Sequence, residues 1–126
     1  MSVVGQGVRA EVDAGVCGLV SVIEARSPDG IQVTVSIESE CPRVRTLAAA
    51  WSDGGLDAAG CSLSAQELLR ASLIETTPAR LAAEQGLHPA CLVPVAVLKA
   101  AEAAAGLALP SDCSITLTRV ENGPKG

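Results

Sequence analysis

Between Ile31 and Glu38 the chain alternates strictly, with Ile31, Val33, Val35 and Ile37 apolar and Gln32, Thr34, Ser36 and Glu38 polar. An extended strand places every second side chain on the same face, so this stretch calls for a sheet with one face covered and the other in water. The choice of cover is narrow, because the chain has no Phe, no Tyr and a single tryptophan, Trp51. The layer over the sheet must be built from Val, Leu, Ile and many Ala, which requires elements that approach one another closely.

The neighbouring segments fit such a sheet. Val8, Ala10 and Val12 alternate with Arg9, Glu11 and Asp13, and residues 19 to 26 read as a second strand, closed by the turn signal Ser27-Pro28-Asp29-Gly30. Three strands in succession predict an antiparallel meander. With the turn centred on Pro28 or Asp29, the numbers of opposed residues add to about 56 to 58, which sets Cys17 against a position between Ser39 and Cys41. Pro42 suits a first helical position, and a helix is expected over 43–51, stopped by Ser52-Asp53-Gly54-Gly55. A loop should lead to Cys61. Ser64 with Glu67 forms a capping box for a helix through about residue 73, Thr77-Pro78 starts another that Gly86 stops, and residues 92–105 give the longest helix, closed by Gly106. Pro110 breaks the chain, after which Cys113, Ile115 and Leu117 alternate with Ser114, Thr116 and Thr118 as a final strand, and residues 122–126 fray. The expectation is one α+β domain over 1–126: a three-stranded antiparallel meander, a layer of helices on one face, and a C-terminal strand.

Several function classes fall away. A net charge of −5, with nine basic residues scattered along the chain, offers no stripe for a phosphate backbone, so no nucleic-acid partner is expected. The start of the chain lacks a basic region followed by an apolar run, and the apolar stretch 92–109 is broken by Pro94, Lys99, Glu102 and Gly106, so neither a secretory signal nor a membrane span is expected. A cytoplasmic protein follows. Gly5-Gln6-Gly7 precedes no helix, and no G-x-S-x-G elbow or phosphate-binding loop occurs.

In a reducing compartment, an odd count of five cysteines reads as ligands or reactive thiols before a disulfide framework. The stretch Gly86-Leu87-His88-Pro89-Ala90-Cys91 holds the only histidine and one of those cysteines at the mouth of the longest helix. There, free backbone N–H groups and the helix dipole favour a thiolate. Cys41 sits in the same way before Pro42. Zinc takes four such ligands, and iron–sulfur clusters use mainly thiolates, so Cys17, Cys41, His88 and Cys91 form the candidate metal set, with Cys61 as an additional, exchangeable thiol. No CxxC pair supports the set by spacing. Each residue also has a plainer role: His88 bonding a loop carbonyl, Cys17 and Cys41 as packing thiols, Cys61 as an incidental surface residue, Cys113 as core, Lys99 and Glu102 on the solvated face of the helix, and Arg43 and Arg45 either solvated or set to act on the Cys41 thiol. No catalytic residue is assigned. An enzyme reading makes Cys41 or Cys91 a helix-activated nucleophile with His88 as base, in a thiol-dependent transferase or redox reaction. A third reading is an inert structural or interaction module whose Ala-rich helices pack in a homodimer.

The order of these residues resembles the U-type (NifU-like) iron–sulfur cluster assembly scaffolds. In that family a three-stranded sheet precedes a helical layer. One ligand cysteine lies in a Cys-Gly-Asp turn, a second just after the third strand, and a His-Cys pair opens a late helix. Here Cys17-Gly18, Cys41, and His88 with Cys91 follow that order, and Lys99-Ala100-Ala101 lies in a helix like the family's last. Leu19 stands where the family has Asp, and two residues separate His88 from Cys91. The resemblance, over about 17–105, implies a protein that holds zinc or a [2Fe-2S] cluster, or carries persulfide sulfur, with a cysteine desulfurase as partner.

Overall fold

A computed structural model of the chain describes residues 7–13, 18–51 and 61–121. Its sheet has four antiparallel strands in sequence order, β1 (Val8–Asp13), β2 (Val20–Arg26), β3 (Gln32–Ser39) and β4 (Cys61–Ser64). Four helices accompany it, α1 (Pro42–Trp51), α2 (Ala65–Arg70), α3 (Thr77–Glu84) and α4 (Val93–Ala104), with a short 3-10 turn at Leu73–Glu75. The α+β class and the first three strands stand as expected.

Alternation decides which face is covered. Val12, Ile23, Ala25, Val33, Val35, Cys61 and Leu63 are all buried, while Arg9, Glu11, Thr34, Ser36 and Glu38 on the other face are exposed. Along the rows, Ala25 pairs with Val35 and Val35 with Cys61, so the apolar stripe runs unbroken across the strands. On the open face the cross-strand partners Arg9 and Glu24 form an ion pair at 2.8 Å, too exposed to add much stability.

The cover is α4, which packs on β1, β2 and β3, and α1, which packs on β3 and buries Val44 and Leu47. α4 presents Val93, Val97, Ala100, Ala101 and Ala104 to the core, all nearly or fully buried. Small side chains here let the helix backbone come close to the sheet, and alanine is also the best helix former. The stop is as read: Gly106 has φ 80°, and its N–H and that of Leu107 close on the carbonyls of Ala103 and Glu102. The indole Nε1 of Trp51 donates to the Ser62 carbonyl at 3.2 Å, fastening the end of α1 to β4.

Four expectations are corrected. The β2–β3 turn is centred on Gly30, and paired residues add to 60, not 56 to 58. Side chains lengthen it: Asp29 Oδ1 accepts from the Ile31 and Gln32 N–H groups at 2.8 and 3.0 Å, and Ser27 Oγ accepts from Gly30 and donates to the Gln32 carbonyl. Those backbone bonds also hold the Asp29 carboxyl below its ordinary range. Second, Cys61 begins a strand, not the end of a loop. Third, α2 stops at Arg70, and only half of its capping box forms. Ser64 accepts from the Glu67 N–H at 3.1 Å, but the Glu67 carboxylate accepts from the backbone N–H and hydroxyl of Thr77, bracing the start of α3. Fourth, residues 111–121 contain no strand and are exposed, Cys113 included. The helix stop expected at 52–55 and the frayed segment 122–126 lie outside the described residues.

The closeness of α4 to the sheet is testable. Ala101→Leu adds volume at a fully buried position with no room to receive it, and the expected cost is about 1–3 kcal/mol. A thermal melt with an unchanged midpoint would show that α4 is held more loosely than described.

Candidate functional site

The segments that carry Cys41 and Cys91 are joined at one end of the sheet, where Arg43 bonds the Gly86 carbonyl. Gly18 leads toward β2 with φ 68°, and Val20 faces Glu40: the Glu40 N–H donates to the Val20 carbonyl at 3.1 Å, and the Val20 N–H to Glu40 Oε1 at 2.9 Å. Cys41 is the next residue. Its carbonyl accepts the first helical bond, from the Arg45 N–H at 3.0 Å, so Cys41 is the N-cap of α1. Its own N–H donates to Ser39 Oγ at 2.9 Å, and Ser39 Oγ shares a further bond of 2.8 Å with the buried Ser21. The Cys41 backbone is thereby fixed on both sides.

The second contribution is the loop from α3 to α4. Gly86, at φ 76°, reverses the chain after α3, the Leu87 N–H closing on the Ala82 carbonyl. The Cys91 N–H then donates to the His88 carbonyl at 3.1 Å. His88 and Cys91 are therefore the two ends of a hydrogen-bonded turn, within about 7 Å at their α-carbons. His88 is exposed and Cys91 half-buried; the N-cap of α4 is Leu92, one residue beyond Cys91. Arg43 joins this loop to the mouth of α1, its Nη1 donating to the Gly86 carbonyl at 2.9 Å. Arg45 works in the same way, donating through Nε to the Ser39 carbonyl at 2.7 Å.

Cys41 and Cys91 both pack at the border of the core, the setting expected of ligands that are shielded but reachable. Cys17 lies outside the described residues, in the connection from β1 to β2. Among the described residues no three His, Cys, Asp or Glu side chains are close enough together to hold an ion, so Cys41, His88 and Cys91 alone do not complete a metal site. Cys61 is set apart from the others. It is buried in β4, its Sγ lies 3.9 Å from the Ala48 carbonyl, and burial pushes its thiol up to about 11. A widely open hollow lined by Glu67, Arg70, Glu75 and Arg80 contains no cysteine or histidine.

Ser21, Ser39, Arg43, Arg45 and Gly86 carry the geometry of this end, and sequence reading assigned a positioning role to none of them. For Gly86 the signal was present but read only as a helix stop. For the arginines the partners are backbone carbonyls, which leave no mark in the sequence.

One family matches the chain, the Family of unknown function (DUF6951), over residues 8–117. The chain belongs to this family. The DUF6951 match takes in every described strand and helix and extends into the exposed C-terminal segment. No curated protein and no solved structure matches the chain.

Two outcomes are expected here. In the native protein at pH 8, Cys113 should react with an aromatic disulfide reagent within the mixing phase. Cys61 should react only on unfolding, since a thiol titrating near 11 is about one part in a thousand thiolate at that pH. Because the Cys61 value is raised in the folded state, its contribution to stability is complete below about 9 and is lost as pH climbs toward about 11. Mapping the modified peptides by mass spectrometry checks the order; equal rates at the two sites would refute it. Gly86→Ala places a Cβ 2.8 Å from Arg43 Nη1 in a left-handed backbone, and should lower the urea unfolding free energy by about 1–2 kcal/mol.

Proposed function

We propose that this DUF6951 protein binds a metal ion or an iron–sulfur cluster through Cys17, Cys41 and Cys91 as thiolates and His88 as the fourth ligand. The observation that carries the reading is the His88–Cys91 turn held against the mouth of α1 by Arg43, which brings a His-x-x-Cys element to the end of the sheet where Cys41 caps a helix. Two ligands from one tight turn and two from separate segments is a common way to assemble a tetrahedral site. Since Cys41, His88 and Cys91 do not close a site among themselves, ligation requires Cys17 to join them.

Zinc or a [2Fe-2S] cluster suits such a donor set, and His88, being exposed, is the ligand that an incoming donor can reach and displace. That favours a role in holding and handing on metal or sulfur, with a cysteine desulfurase as the matching supplier, over a buried structural site. The reaction compartment consistent with free thiolates is a reducing one.

Protein purified without oxygen and without affinity-tag metal should carry one equivalent of zinc, or iron with matching acid-labile sulfide. Cys41→Ser or Cys91→Ser should remove it, and His88→Ala should weaken retention against a chelator by about 10-fold or more. Absence of both metal and sulfide from the wild-type protein, also after reconstitution with either, refutes the reading.

A further inference from the structure

The face of the sheet turned away from the helices is not uniformly polar. On β2 it carries Val20, 40 % exposed, and Val22, half-buried, two residues apart and so on one side of the strand. Register surrounds them with acid. Val22 lies between Glu11 of β1 and Glu38 of β3; Val20 lies beside Asp13 of β1 and, through the backbone and carboxylate bonds described above, beside Glu40. All four acidic residues are exposed. On the same face Arg9 donates twice to Glu24, at 2.8 and 3.0 Å, and stands 4.0 Å from Glu11. Arg26 lies at the opposite end of β2, paired with Thr34. One end of the face is therefore acidic around an apolar centre.

Charge and spacing narrow what can cover the two valines. Glu11 and Glu38 stand on strands separated by β2, about 10 Å apart. Among the described residues no three acidic groups are close enough together to hold a metal ion. The surface thus matches several separate cations, not one ion. A nucleic acid or an anionic lipid surface has the wrong sign, and a second copy docked through the same face would set these carboxylates against their own kind. The chain's own segments are no better matched. Of its nine basic residues, all but Lys125 lie among the described ones, and over 107–121 Arg119 is outnumbered by Asp112 and Glu121.

We propose that the Val20–Val22 face docks a partner protein that presents an apolar side chain ringed by lysine or arginine. An apolar centre inside a charged rim is the usual layout of a protein interface. The carboxylates repel one another in the free protein, and a basic surface relieves that repulsion while being steered toward it. Glu40 adjoins Cys41, so the partner sits beside the mouth of α1.

The probe is a capped pentapeptide, Lys-Val-Lys-Val-Lys, titrated at low salt into the isotope-labelled full chain and followed by backbone amide NMR shifts. The shifts should saturate and be confined to β1–β3 around Glu11, Val20, Val22 and Glu38. Glu11→Gln combined with Glu38→Gln should weaken binding about 5-fold or more. Val20→Thr, which keeps the shape and every charge, should weaken it as well. Glu84→Gln combined with Glu102→Gln removes the same charge from α3 and α4 and should leave binding unchanged. The proposal fails if the shifts never saturate or spread over the whole surface, if the α3–α4 variant loses as much, or if binding is indifferent to Val20→Thr. Shifts at the same residues on raising the protein concentration alone would put a second copy there and overturn it too. No readout involves metal, so this surface and the ligand set can fail separately.

Discussion

The contact between α4 and the sheet is the constraint on which the rest depends. A chain with one aromatic side chain cannot fill the space between layers with large rings, so the layers must close until methyl groups touch. Ala100, Ala101 and Ala104 on the helix, against Ile23, Ala25 and Val35 on the strands, permit that approach. Dispersion falls off within an ångström of the optimum separation, so a core of this kind is intolerant of a gap and of an added methylene alike. It also fixes the height of the helix entrance above the sheet, and the His88–Cys91 turn with it, because Val93 is buried in the first turn of α4.

Packing alone would leave the loop before α4 free to pivot. Arg43 removes that freedom by bonding the Gly86 carbonyl, while Arg45 bonds the Ser39 carbonyl just before Cys41. A guanidinium is suited to this task, having several donors in a rigid plane and a long apolar stem. The Ser21–Ser39–Cys41 chain of bonds completes the frame and leaves the buried hydroxyl of Ser21 satisfied. The outcome is an end of the sheet whose backbone is held by side chains.

Where the sequence carried a period or a steric rule, the fold was legible in it. The strands β1 to β3 came from alternation, the start of α1 from Pro42, and the ends of α3 and α4 from Gly86 and Gly106. The turn centre was misplaced because the Asp29 carboxylate and Ser27 hydroxyl bond several backbone groups at once, and their choice among neighbouring N–H groups is settled by geometry. β4 escaped because four residues, Cys61-Ser62-Leu63-Ser64, are too few to establish a period beside a strong capping signal. Alternation at 113–118 was read as a final strand, but alternation states only that one face wants covering, not that the chain supplies the cover. Of the site, residue types capable of ligation were legible at once; the arginine straps were not, since a carbonyl 43 residues away has no signature.

Ligands drawn from separate segments have an energetic consequence that local motifs lack. A CxxC pair can seize a metal in an unfolded chain, and the ion then helps to nucleate structure. Here the mouth of α1 and the α3–α4 turn come together only after the sheet has paired and α4 has docked. A ligand bound only in that state stabilises it by mass action, and does so across the longest chain closures in the fold. For a small core packed mainly with alanine and valine, the proposed ligand set would link ion binding to the main contact between the two layers: whatever loosens α4 from the sheet also moves the α3–α4 turn away from the mouth of α1.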